Sequence, residues 1–164
     1  PVPPTIIVNS GTDSLNNTRW TFTNTCSGPY TWIGGANQDW QVPTNWSPIR
    51  PTAATASTTD ALIFDGNVTP TPIVNNVPTQ QIATLRLVNN GIGVTLKTSG
   101  ANTLTLAGVS GHDLSIPAGT SLTLAGSNAL SIALSAGSAA NVDGSTPGIR
   151  GSIALLQAAH RLTG

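Results

Sequence analysis

Residues able to do acid–base chemistry are few, and their spacing is poor for it. All six carboxylate side chains are aspartates, Asp13, Asp39, Asp60, Asp65, Asp113 and Asp143, and the chain has no glutamate. Cleaving a glycosidic bond takes two carboxyl groups held roughly 5–10 Å apart across the bond. The regular, repeat-like half of the chain offers only Asp113 and Asp143 for that task, separated by more than one repeat. His112 beside Asp113 has the composition of an acid–base pair or a ligand pair, but both residues lie at a glycine turn, which predicts a solvated loop. His160 has no partner near it in sequence. Among metals, only calcium held by Asp60 or Asp65 with loop carbonyls fits the donor types present. Paired-cysteine spacing, a phosphate-binding glycine loop and a nucleophile elbow are all missing. The expectation is a non-catalytic protein with no cofactor and no metal.

The aromatic residues form the other chemically notable group. Trp32, Trp40 and Trp46, three of the four tryptophans, fall close together. Indole rings stack on sugars, so a glycan contact is one use for them. The other is burial of a large apolar area over the open end of a stack of strands. Spacing alone leaves both open, while the glycine turn and prolines around them favour a packed cap.

Composition narrows the field further. Charged residues make up 7% of the chain and the formal net charge is zero, against roughly 25% charged in ordinary domains. That excludes the electrostatic footprint of a nucleic-acid binder. No apolar run approaches the roughly 20 residues needed to span a bilayer, so membrane insertion is not expected. A single cysteine, Cys26, allows no internal disulfide. Thr, Ser, Asn and Val are abundant while strong helix formers are scarce, which is an all-β composition with turn-rich punctuation. The same polar, nearly cysteine-free composition points to a secreted bacterial protein, outside the cell or on its outer surface.

These residues have to be held by strands. Ile82–Val88, Val94–Lys97, Thr103–Leu106, Leu114–Ile116, Ser121–Leu124 and Leu130–Leu134 alternate apolar and polar residues between turn glycines. Leu-Thr-Leu-Ala-Gly occurs at Leu104–Gly108 and recurs at Leu122–Gly126, eighteen residues later. Repetition of that kind predicts a β-solenoid, with coils of about two strands and inward leucines in a ladder; the alternative is a β-sandwich. Outward Thr-x-Thr and Ser-x-Thr pairs (Thr103/Thr105, Ser121/Thr123) resemble ice-binding arrays, but Thr is also an ordinary exposed strand residue. Three regions are expected: residues 1–29 as an extended arm or hairpin, 30–81 as a Trp- and Pro-rich cap with the first strands, and 82–164 as solenoid repeats. Within the first, Ile6, Ile7 and Val8 and the alternating Trp20 and Phe22 read as two strands able to form a self-association arm.

The run Trp32-x-Gly34-Gly35, Trp40, Asn45-Trp46-x-Pro48, a proline loop and then Asp60 to Phe64 resembles a segment of large secreted bacterial surface proteins. These are the autotransporter-like passenger domains and adhesins, and the downstream strands look like the β-helical repeats that follow it. The resemblance covers roughly Tyr30 to the end. It implies an adhesive or scaffolding role and says nothing of residues 1–29.

The chain ends at Arg161-Leu162-Thr163-Gly164, in what reads as a further strand, with no charged or helical cap. An uncapped solenoid end favours edge-to-edge association. The expected function is therefore structural: a building block of an extracellular fibre or stalk, whose partner is another copy of itself or the neighbouring repeats of a longer chain. The competing readings are a glycan-binding adhesin module and a β-helical polysaccharide-processing enzyme.

Overall fold

A computed structural model describes residues 29–50, 60–89, 91–108 and 111–144, with the backbone alone of the short strands 6–8, 20–22 and 153–155. In chain order the strands are β1 (Ile6–Val8), β2 (Trp20–Phe22), β3 (Pro29–Trp32), β4 (Gln38–Asp39), β5 (Trp46–Ser47), β6 (Ala61–Asp65), β7 (Ile73–Asn75) and β8 (Gln80–Ile82). They continue as β9 (Thr84–Val88), β10 (Gly93–Lys97), β11 (Asn102–Leu106), β12 (Leu114–Ile116), β13 (Ser121–Ala125), β14 (Leu130–Leu134), β15 (Ala140–Val142) and β16 (Ile153–Leu155). Apart from one 3-10 turn, Pro43–Asn45, no helix forms among the described residues.

The strands stack into a β-solenoid of about four turns, and each full coil has three strands rather than two. One sheet runs β15-β12-β9-β6-β3-β5, a second β13-β10-β7-β4 and a third β16-β14-β11-β8. Within these sheets every pairing is parallel except β3 with β5. Parallel neighbours need a crossover, and here the rest of the coil supplies it.

Alternation produces the core. In β6 and β9, Leu62 and Phe64 stand beside Leu85 and Leu87, and Leu85 stands beside Leu114. Val94 and Leu96 meet Leu122 and Leu124, while Leu104 and Leu106 meet Ile132 and Leu134. All of these are buried in one cluster. Burying each such side chain contributes about 1.5–3 kcal/mol, so a column of them outweighs anything the polar surface supplies.

The register corrects the sequence reading of the repeat. Leu122 stacks on Val94, twenty-eight residues before it, and Leu104 stacks on Ile132, again twenty-eight away. The two Leu-Thr-Leu-Ala-Gly copies lie on β11 and β13, in different sheets, so the eighteen-residue recurrence is not a coil. Both copies obey one local rule, an aliphatic strand followed by a corner, and a three-sided coil repeats that rule more than once per turn. The same register separates the Thr pairs: Thr103 and Thr105 face out of one sheet, Ser121 and Thr123 out of another, and Thr105 is followed by Ala133.

Two further expectations change. The boundary between residues 81 and 82 falls inside β8, and β3 and β4 already belong to solenoid sheets, so cap and repeats share one continuous fold. β1 and β2 do pair with each other, but in parallel, with Ile6 beside Trp20 and Val8 beside Phe22, which excludes a hairpin. The side chains of Ile6, Ile7, Val8, Trp20 and Phe22, together with Cys26, the 51–59 loop and His160 to Gly164, lie outside the described residues.

Candidate functional site: the tryptophan cap

The third sheet begins one coil later than the other two, at β8, and the segment after β4 folds across the space left at that end. Residues Trp40–Arg50 cross it through the 3-10 turn and return as β5, antiparallel to β3, with Trp46 beside Trp32. Ser47–Pro48 in this segment is a cis peptide.

Trp32, Trp40 and Trp46 are all inside, each at most 1% exposed. Trp46 is the centre of the group. Its ring meets Trp32 edge-on at 4.9 Å between centroids, Trp40 at 5.2 Å and Phe64 at 5.8 Å. Such T-shaped contacts contribute about 0.5–1.5 kcal/mol each beyond the area buried. Trp46 Nε1 donates to the Trp40 carbonyl at 2.9 Å, and Trp40 Nε1 donates to Gln80 Oε1 at 2.9 Å. Gly34 has to be glycine, because a Cβ there would stand 2.6 Å from the Trp32 ring. No such limit applies at Gly35, where a Cβ would meet nothing within 4 Å. With both faces of each indole covered, none of the three rings is left to stack on a sugar.

The cap also contains a charge that sequence reasoning missed. Arg50 is buried, and its guanidinium carbon stands 5.5 Å from the Trp46 ring centre, 5.7 Å from Trp40 and 6.0 Å from Tyr30. Nε donates to Asp60 Oδ2 at 2.9 Å, and Nη2 lies 2.8 Å from the same oxygen in ion-pair contact without a well-directed hydrogen bond. Arginine suits this position because its weakly hydrated, planar cation packs on aromatic faces while its fork reaches a carboxylate. Asp60, the calcium candidate, is thereby occupied. Asp65, the other candidate, accepts from Asn67 N at 2.8 Å and from Asn89 Nδ2.

Polar side chains close the backbone edge of the cap. Asn45 Nδ2 donates to the Asp39 carbonyl at 2.8 Å, and the Asn45 carbonyl accepts from Ile33 N and Gly34 N. Asp39 accepts from Gln41 N and from Asn76 Nδ2, both at 2.7 Å. What the cap leaves exposed is apolar. Four large hydrophobic residues are well exposed among the described residues, and Ile33, Val42 and Ile49 of the cap are three of them, Ile49 at 68%; the fourth is Val68.

Asp113 is not in a solvated turn. It is 1% exposed, its Oδ2 accepts from Ala139 N at 3.1 Å, and its backbone pairs with the coils on both sides. Its other oxygen presses on Gly108, where a Cβ would come within 1.8 Å of Oδ1, so the hydrogen on that face makes a weak C–H···O contact. His112 is exposed and points to a different surrounding. Both precede β12, and the irregular segment before it leaves His112 exposed while it turns Asp113 inward. Among the described residues no group of three or more His, Cys, Asp or Glu side chains converges.

Comparison of the chain with protein-family models, with curated proteins and with solved structures gives no match in any of the three.

Proposed function

We propose that this chain is a non-catalytic structural protein of the bacterial cell surface, a building block of an extracellular fibre or stalk that associates end to end with copies of itself. The observation that carries this reading is the position of the exposed apolar side chains. Of the four large hydrophobic residues well exposed among the described residues, Ile33, Val42 and Ile49 belong to the cap segment at the amino-terminal end of the solenoid. Exposed apolar groups that cluster mark contact surfaces, whereas scattered ones do not. The side faces carry Thr, Ser, Asn and Gln with isolated cations such as Arg86 and Lys97, a surface suited to solvent. The resemblance of the Trp-x-Gly-Gly to Asn-Trp-x-Pro segment to secreted surface proteins agrees with this role.

Electron microscopy and sedimentation of the purified chain test it. Rods longer than one solenoid are expected, and a chain that stays monomeric at high concentration overturns the proposal. Removal of residues 1–24 tests the arm: shorter or fewer rods are expected, and unchanged assembly removes β1 and β2 from the contact.

A second reading, a glycan-binding adhesin module, draws support from a groove rather than from the tryptophans. A hollow of about 540 Å³ runs along the corner between the first and second sheets, past Thr71, Gly93, Ser121 and Asp143. Its size suits a small sugar, and hydroxyl and carboxylate groups bind sugar hydroxyls. Glycan-array binding lost in Asp143→Ala and kept in Val68→Asp would favour it; binding to no glycan would end it.

A further inference from the structure

We propose that the groove at the corner between the first and second sheets binds a linear, neutral glycan laid along the solenoid axis. This rests on the glycan-binding reading above and names the class of ligand and the direction in which it lies. Three observations lead to it. The first is shape. One corner supplies the lining in successive coils, with Thr71, Gly93, Ser121 and Asp143 each one coil further on. Neighbouring coils lie about 4.8 Å apart, so the three steps extend the groove over about 14 Å. Its floor is bare backbone. Gly91 and Gly119 have φ of 85° and 77°, a region that favours glycine, and a Cβ on Gly91 would meet nothing within 4 Å. The C–H face of a sugar ring fits such a floor without displacing a side chain.

The second observation separates a glycan from a peptide. The N–H groups along the groove are already taken by carbonyls of neighbouring coils: Gly91 N by Gly119, Gly93 N by Pro70, Ser121 N by Ile92 and Gly144 N by Ile116. An added peptide strand needs such groups free. Recognition here falls to side chains.

Those side chains are the third. Asp39, Asp60, Asp65 and Asp113 all accept hydrogen bonds, whereas the Asp143 carboxylate accepts none from any described residue. The hydroxyls of Thr71 and Ser121 also bond to no described residue, while that of Thr120 is spent on the Pro117 carbonyl. An acceptor-only carboxylate at one end and two hydroxyls further along suit a ligand that carries hydroxyls at regular intervals. Asp143 is the only charged residue of the lining, so it repels an anionic chain.

Titration calorimetry on the full chain tests the proposal, with neutral gluco-, manno-, galacto- and xylo-oligosaccharides of one to four units and an oligogalacturonate of matched length. Affinity for at least one neutral series should rise with each unit up to three, and the oligogalacturonate should bind more weakly. Asp143→Ala should weaken the trisaccharide about tenfold and Ser121→Ala about threefold, with thermal unfolding unchanged. A monosaccharide as tight as its trisaccharide, or an oligogalacturonate as tight as the neutral chains, overturns this inference and leaves the small-sugar reading standing. Binding to none of the series, or binding untouched by both substitutions, overturns this inference and the groove reading together.

Discussion

The cap and the coils bury their apolar side chains by opposite means. A coil position holds an aliphatic residue whose neighbour above and below is another aliphatic residue, as in Leu62, Leu85 and Leu114. Its hydrogen bonds are made by backbone, which does not depend on side-chain identity. Three cap positions hold a large side chain with a specific polar partner: Trp40 with Gln80, Trp46 with the Trp40 carbonyl, Arg50 with Asp60. Repetition lets the coils accept any aliphatic side chain of about the right volume. The cap has no repeat to lean on, since it fills the place of a missing strand, and each of its residues is fitted singly.

The largest effect is expected where the cap differs most from a coil. Arg50→Ala leaves the Asp60 carboxylate buried without its cation, which should cost about 3–5 kcal/mol in chemical denaturation. Replacing both partners, with Arg50→Met and Asp60→Leu, should recover much of that loss, because no buried charge then remains. If the double variant is no better than the single one, the guanidinium is held by the rings rather than by the carboxylate. A middle effect is expected at the Gly108–Asp113 corner, where, as in the cap, a buried polar side chain is fitted to specific neighbours. Gly108→Ala drives a methyl group into Asp113 and should cost about 1–3 kcal/mol, with faster amide exchange at Ala139. The smallest belongs to the ladder: Leu122→Ile should cost less than about 1.5 kcal/mol. A loss there as large as that of Arg50→Ala would erase the distinction between the two regions.

The solenoid was legible because alternation and turn glycines recur whether a coil has two sides or three. The number of sides was not, because a strand's own sequence does not say how many corners precede its stacking partner. Asp113 was misread for a related reason. A glycine turn predicts solvent, yet here Gly108 provides room for a carboxylate rather than for water. Trp32, Trp40 and Trp46 were read as the cap they form, while Arg50 went unnoticed. A signal was present: in a chain so poor in charge, an arginine between Ile49 and Pro51 within an aromatic stretch, with an aspartate ten residues on, is an unusual placement. Exposure of Ile33, Val42 and Ile49 left no mark in sequence, since an apolar residue reads the same in a core and on a surface.

The antiparallel pairing of β3 with β5 also bears on how the chain begins to fold. Trp32 meets Trp46 across a loop of thirteen residues, whereas Leu62 waits for Leu85 and Val94 for Leu122, a whole coil away. Closing the shorter loop costs less entropy, so the β3–β5 contact is the cheaper one to form, and a φ-value at Trp46 above those of the coil leucines is the expected signature of its forming early.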